Sequence, residues 1–133
     1  MMQLKEITYS EEVLNLYKKA GWIAYTKDSE TLKKGFDYSS LILGAYVDHQ
    51  LAGLIRVVGD EHTVILIQDL LVDSDYQRQG IGTCLIKEVL SRYDHVRQIQ
   101  LCTDNTPEIK AFYETLHLVT FEQMGCTGYI RIK

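Results

Sequence analysis

The chain has 133 residues, with 14 basic and 18 acidic side chains and a net charge of −4. That length suits one domain, and 46% hydrophobic against 24% charged residues is the composition of a folded globule rather than a disordered chain. The negative balance speaks against a broad nucleic-acid footprint, no apolar run approaches the ~20 residues of a bilayer span, and a single proline excludes collagen-like repeats.

The first residues turn polar at once, so no signal-peptide core is expected. Residues 3–8 read as a short strand. Ser10 then reads as an N-cap, with Glu11 and Glu12 in the first turn of a helix. Val13, Leu16, Tyr17 and Ala20 fall at helical spacing, and Gly21 is a stop signal. A second short helix is expected from about Ser29 to Lys34, ending at Gly35, with residues 22–25 between the two. Two strand-like runs follow, Leu41 to Val47 and Leu51 to Val58, joined by Asp48-His49-Gln50 as a hairpin. Val64 to Val72 is the most apolar run and reads as a central strand. A helix over 80–92, a strand over 96–102 and a helix opened by Thr106-Pro107-Glu108 come next. Short strands are expected at 119–123 and 128–132. The strand-helix-strand unit from 64 to 102 predicts a parallel strand pair. The preceding hairpins are antiparallel, so the fold class is α/β (α+β), a mixed, mostly antiparallel sheet flanked by helices.

Cys84, Cys102 and Cys126 are scattered and odd in number, which fits neither a zinc site nor a disulfide framework. Reduced thiols in a cytoplasmic protein are the expectation, with no metal.

The chemistry-bearing segment is Gln77-Arg78-Gln79-Gly80-Ile81-Gly82-Thr83, between the apolar strand and an amphipathic helix. Gly80 and Gly82 remove side chains where a ligand could approach the backbone. The first helical turn exposes unpaired N–H groups at the positive end of its dipole, an anion site. Arg78 adds a cation suited to phosphate oxygens. A tight turn with no ligand is the competing reading. A dinucleotide fingerprint fails because residue 85 is Leu, and a P-loop fails for want of Gly-Lys-Ser/Thr.

Gln77-x-x-Gly80-x-Gly82 after Leu70-Leu71-Val72 resembles the acetyl-CoA motif R/Q-x-x-G-x-G/A of the GNAT superfamily of N-acetyltransferases. Ala111-Phe112-Tyr113-Glu114-Thr115-Leu116-His117-Leu118 is similar to that family's F-Y-x-x-L-G-F segment. Ser74 stands where many members carry proline, and His117 replaces a glycine that is often left-handed. The resemblance covers about residues 40–131 in element order, and with the chain's length it implies one N-acetyltransferase domain over 1–133. It implies that backbone N–H groups of Gln79, Gly80, Ile81, Gly82 and Thr83 bind the pyrophosphate of acetyl-CoA, with Gln77 and Arg78 beside them. It implies that the pantetheine arm pairs with backbone near Leu71 and Val72, and that a backbone N–H at that strand end meets the thioester carbonyl.

Acetyl transfer to an amine needs a neutral amine, stabilisation of developing negative charge, and a proton for the departing thiolate. Tyr113 is the candidate general acid, since a phenol is protonated at pH 7. Its place on the apolar stripe with Ile109 and Leu116 allows a core role instead. Asp69, an acid inside an apolar strand, is the candidate base. A structural hydrogen-bonding role for it stands equal to that. Gln68 cannot serve as a base. Trp22, Tyr25 and Tyr46 are candidates for an aromatic acceptor pocket, attractive to an amine by cation–π contact, or else simply packed residues. The expected function is direct acetyl transfer from acetyl-CoA to a primary amine in a ternary complex. The acceptor is a small molecule or a lysine side chain, with no nucleic-acid or membrane partner. The alternative is a non-catalytic acyl-CoA-binding module on the same fold. A homodimer is compatible with the chain but nothing in the sequence demands it.

Overall fold

The computed structural model describes residues 2–133, which divide into two compact units, 2–102 and 103–133. The first holds all five strands in the order β1-β2-β3-β4-β5: β1 (Met2–Glu6), β2 (Leu41–Val47), β3 (Gln50–Gly59), β4 (Val64–Val72) and β5 (Gln98–Leu101). The first three pairings are antiparallel and β4–β5 is parallel, as the sequence pattern requires. Asp48 and His49, both at positive φ (49° and 69°), make a two-residue turn between β2 and β3, so Gln50 joins the strand rather than the turn.

Helix α1 (Glu11–Lys19) begins where Ser10 accepts from the Val13 N–H at 3.2 Å, and it buries Val13, Leu14, Leu16 and Tyr17. Residues 22–25, read as a connection, contribute to a one-turn helix, α2 (Ile23–Thr26). Helix α3 (Ser29–Asp37) does not stop at Gly35 but runs through it. The reason is tertiary. A methyl group on Gly35 would lie 3.4 Å from an Arg56 guanidinium nitrogen, so the glycine gives room to a side chain from β3 rather than ending a helix. Leu32 and Phe36 of α3 join the α1 residues, Ile42, Leu54 and Leu71 in one core. Each such fully buried aliphatic chain contributes about 1.5–3 kcal/mol.

Helix α4 (Ile81–Arg92) covers the other face, where a methyl group at Gly53 would meet Ile81 Cγ2 at 3.0 Å. From Gly53 onward, even-numbered β3 residues such as Leu54 therefore face α1 and odd-numbered ones such as Gly53 face α4, whereas Leu51, on the other side of a register shift at Ala45/Tyr46, belongs to the α1 core.

The second unit carries α5 (Pro107–Thr115), capped by Thr106 accepting from the Ile109 N–H at 3.3 Å, and a short 3₁₀ turn at Glu122–Met124. The strands expected at 119–123 and 128–132 are absent among the described residues. A strand needs a neighbour to complete its ladder, and no strand of the sheet pairs with these segments.

Candidate active site

The turn between β4 and α4 is built for a backbone approach. Asp73 fixes its start, donating its N–H to Ala52 O at 2.8 Å and accepting from the Asp75 N–H at 2.8 Å. Lys19 of α1 ties the same loop down, bridging Asp73 at 2.7 Å and Asp75 at 2.6 Å. The bond to Asp73, then that to Asp75, raises the Lys19 pKa. Asp73 is held below the usual carboxylate range, because Lys19 and the Asp75 N–H outweigh the cost of its burial. Gln77 donates its amide to Val72 O at 3.2 Å.

Arg78 and Gly80 then take left-handed conformations, at φ 64° and 77°. For arginine that conformation costs about 1–2 kcal/mol. Gly80 is the N-cap of α4 and offers no capping side chain; the first helical bond runs from the Cys84 N–H to Gly80 O at 3.0 Å. The N–H groups of Ile81, Gly82 and Thr83 thus open the helix without helical acceptors. A methyl group on Gly80 would meet nothing within 4 Å, and one on Gly82 would touch only Val72 Cγ2 at 3.8 Å. Open space over a helix N-terminus fits a pyrophosphate. A side chain at either position would fill it.

β4 is irregular beside this turn. Arg56 pairs with Asp69 but Val57 pairs with Ile67, so Gln68 is an extra residue, a β-bulge. Partners directly opposite share a face, so Ile67 lies on the α4 face and Asp69 on the α1 face. Parallel pairing with β5 ends at Ile67–Leu101, so β4 from Gln68 to Val72, including Leu71 and Val72, has a strand on one side only.

Asp69 is the hub of the α1 face. Its side chain is fully buried and accepts from Arg56 Nε at 2.7 Å and Tyr17 Oη at 2.8 Å on one oxygen, and from Tyr25 Oη at 3.2 Å on the other. The Arg56 pKa is raised because Asp69 outweighs the burial that opposes the charge. Burial, then the Asp69 charge and hydrogen bond, pushes the Tyr17 phenol far above its ordinary value. Arg56 also reaches Ser39 Oγ at 3.2 Å and lies over the rings of Phe36 (5.7 Å) and Tyr25 (5.9 Å). A carboxylate with three donors, one of them its ion-pair partner, has its charge compensated. Of the two roles open to Asp69, this geometry supports the structural one over the base.

Trp22 and Tyr25 stack at 5.9 Å and both meet Tyr17 edge-on, at 5.8 and 5.5 Å. Both are half-buried, and the Tyr25 hydroxyl also accepts from Gln68 Nε2 at 3.3 Å. Tyr25 thus joins the buried carboxylate to the exposed bulge residue. Tyr46, on β2, packs half-buried against the same core as Trp22 and Tyr25 and carries Lys5 Nζ 4.6 Å over its ring.

Tyr113 sits on α5, half-buried, its ring edge-on to Phe112 at 4.9 Å; burial raises its pKa, so the phenol is protonated at neutral pH. His117 ends that helix at φ 65°, with Leu118 N–H bonded to Tyr113 O at 3.2 Å and His117 N–H to Glu114 O at 3.0 Å. This is the left-handed helix stop expected of a glycine, taken here by histidine. Sequence reading missed Arg56 and Tyr17. The signal for Arg56 was present, a lone charge in the apolar run 51–58 facing the lone Asp69 in the next run. Among the described residues no group of His, Cys, Asp or Glu could hold a metal ion, and no helix is long and apolar enough to cross a membrane.

Residues 5–132 match the family profile described as Acetyltransferase (GNAT) domain. A GNAT-family acetyltransferase from Streptococcus pneumoniae TIGR4 is 36% identical, with a TM-score of 0.89 over 100% of this chain and 98% of that one. An uncharacterised N-acetyltransferase, ycf52, of Gracilaria tenuistipitata var. liui is 25% identical over 79% of this chain; the match spans 59% of that relative's length. An N-acetyltransferase from Thermoplasma acidophilum, solved with coenzyme A, shares the fold at 15% identity, with a TM-score of 0.67 over 86% of this chain and 88% of that one.

Proposed function

This chain belongs to the GNAT acetyltransferase family, and from that premise we propose that it transfers an acetyl group from acetyl-CoA directly to a primary amine. The carrying observation is the turn at 78–83, where two left-handed residues and two glycines expose the N-terminus of α4 beside a one-sided stretch of β4. Acetyl-CoA supplies the activated acyl group as a thioester. The N–H groups of Gln79 to Thr83 hold its pyrophosphate, with Arg78 beside them. The free edge at Leu71 and Val72 offers peptide groups to the pantetheine arm, and the bulge at Gln68 leaves strand backbone free to accept negative charge near the thioester. Tyr113 donates a proton to the departing sulfur.

Trp22 and Tyr25 line the acceptor side in this reading, with the Tyr25 hydroxyl held by Asp69. Asp69 is a positioning residue, and solvent removes the amine proton. Tyr46, packed against the same core, is the third aromatic candidate for that pocket. The acceptor is a small-molecule amine or a lysine side chain, handled by a chain that works in the cytoplasm. The test is a panel of amines with acetyl-CoA, following release of free thiol. Turnover on at least one amine is expected. Tight acetyl-CoA binding by calorimetry with no turnover on any amine would instead make the chain a binding module.

A further inference from the structure

The loop from Asp73 to Gln79 leads from β4 into the glycine turn, and little of it is packed. Ser74, Asp75, Gln77, Arg78 and Gln79 are exposed, and no residue from 73 to 79 is buried. Polar contacts set its path instead. Asp73 caps the 3₁₀ turn Ser74–Tyr76, accepting from the Asp75 N–H at 2.8 Å on Oδ1 and from the Tyr76 N–H at 2.8 Å on its carbonyl oxygen. Lys19 Nζ reaches the same Asp73 Oδ1 at 2.7 Å and Asp75 Oδ2 at 2.6 Å. One ammonium thus holds together two carboxylates that would otherwise repel each other across the turn.

That ammonium stands on a rigid support. Lys19 is the last residue of α1, two positions after Tyr17, which is wholly buried and bonded to Asp69. Arg78, three residues after Asp75, keeps its φ of 64°, a conformation that persists only where the surrounding structure holds it. We propose that Lys19 is a positioning residue for acetyl-CoA: its double ion pair fixes the 3₁₀ turn and so preorganises residues 78–83 for the pyrophosphate. The loop is then ordered on folding rather than on binding, and the difference shows as affinity. The role rests on the reading that acetyl-CoA binds at residues 78–83.

Lys19→Met keeps an unbranched stem and removes the charge. An exposed ion pair adds little to global stability, so the melting temperature should hardly move. In the ligand-free protein the Asp75 and Tyr76 amides, both bonded to Asp73, should exchange with solvent several-fold faster. The acetyl-CoA dissociation constant, by calorimetry, should rise roughly 5- to 10-fold, with kcat at saturating acetyl-CoA little changed. Lys19→Arg should keep both readings near wild type. Ser74→Pro added to Lys19→Met should recover most of the affinity, since Asp73 at ψ 132° already has the extended backbone that precedes proline and residue 74 opens the 3₁₀ turn. Unchanged affinity or unchanged amide exchange in Lys19→Met would overturn the proposal, as would a loss of affinity equally present in Lys19→Arg. A wild type without acetyl-CoA affinity would overturn the binding reading and this role together, whereas a wild type that binds and a Lys19→Met that binds equally well overturn the role alone.

Discussion

Arg56 Nε lies 2.7 Å from Asp69 Oδ2, directly across the β3–β4 ladder, and neither side chain is more than 8% exposed. The pair sits where the β4 bulge turns Asp69 toward α1, and it gathers Tyr17, Tyr25, Ser39 and Gly35 around it. Removing one partner leaves the other charge buried without compensation, which costs about 3–5 kcal/mol. Asp69→Asn should therefore lower the melting temperature by on the order of 10 °C. Turnover per folded molecule should fall modestly. Complete loss of turnover in a well-folded Asp69→Asn would return Asp69 to the role of base.

The Tyr25 hydroxyl donates to Asp69 while its ring stacks on Trp22. Tyr25→Phe keeps the stacking and removes the oxygen. KM for a responsive amine should rise several-fold while acetyl-CoA affinity stays unchanged, the pattern of lost acceptor binding. An unaltered KM would take Tyr25 out of the acceptor site.

Gly82→Asp places a carboxylate over the first turn of α4, where an added Cβ touches only Val72 at 3.8 Å. The fold should tolerate it. Acetyl-CoA binding, measured by calorimetry, should disappear, since bulk and negative charge meet at an anion site. Unchanged affinity would remove the phosphate from this turn.

Tyr113→Phe deletes one oxygen from α5 and leaves its ring against Phe112. General-acid catalysis is worth ~10²–10⁴-fold, and water can replace part of it. Turnover should fall at least ~10-fold with acetyl-CoA affinity nearly constant. Wild-type turnover would leave protonation of the thiolate to solvent.

Asp60 accepts from Thr63 Oγ1 and from the N–H groups of His62, Thr63 and Val64, at 2.6 to 3.1 Å. The Thr63 hydroxyl, then those backbone donors, holds its pKa far below the usual carboxylate value. A depressed folded-state pKa adds stability above the unfolded value of about 3.9, lost as pH falls toward the folded value. The melting-temperature gap between wild type and Asp60→Asn should be constant from pH 7 to 5 and shrink below about pH 4. A gap independent of pH would contradict the assignment.

Local chemistry made much of this protein readable from its residues alone. Ser10 and Thr106 cap helices because a hydroxyl satisfies N–H groups three residues on, whatever lies elsewhere. The glycine turn is equally local, and so is the helix stop at His117. Non-local partners decided the rest. Ile65, Ile67, Asp69 and Leu71 are all buried and alternate like one face of a strand, yet the bulge at Gln68 sends the first two to α4 and the last two to α1. Gly35 carries a stop signal, but its neighbour in space is Arg56, twenty-one positions away. The core around Tyr17 needed the α1, α3 and sheet residues assembled before Asp69 could be seen as a paired charge. Residues 119–123 and 128–132 have strand-like composition, but a ladder exists only where a second strand supplies it. Outside hairpins such as β2–β3, pairing joins backbone groups far apart in the chain, so no local residue pattern specifies it.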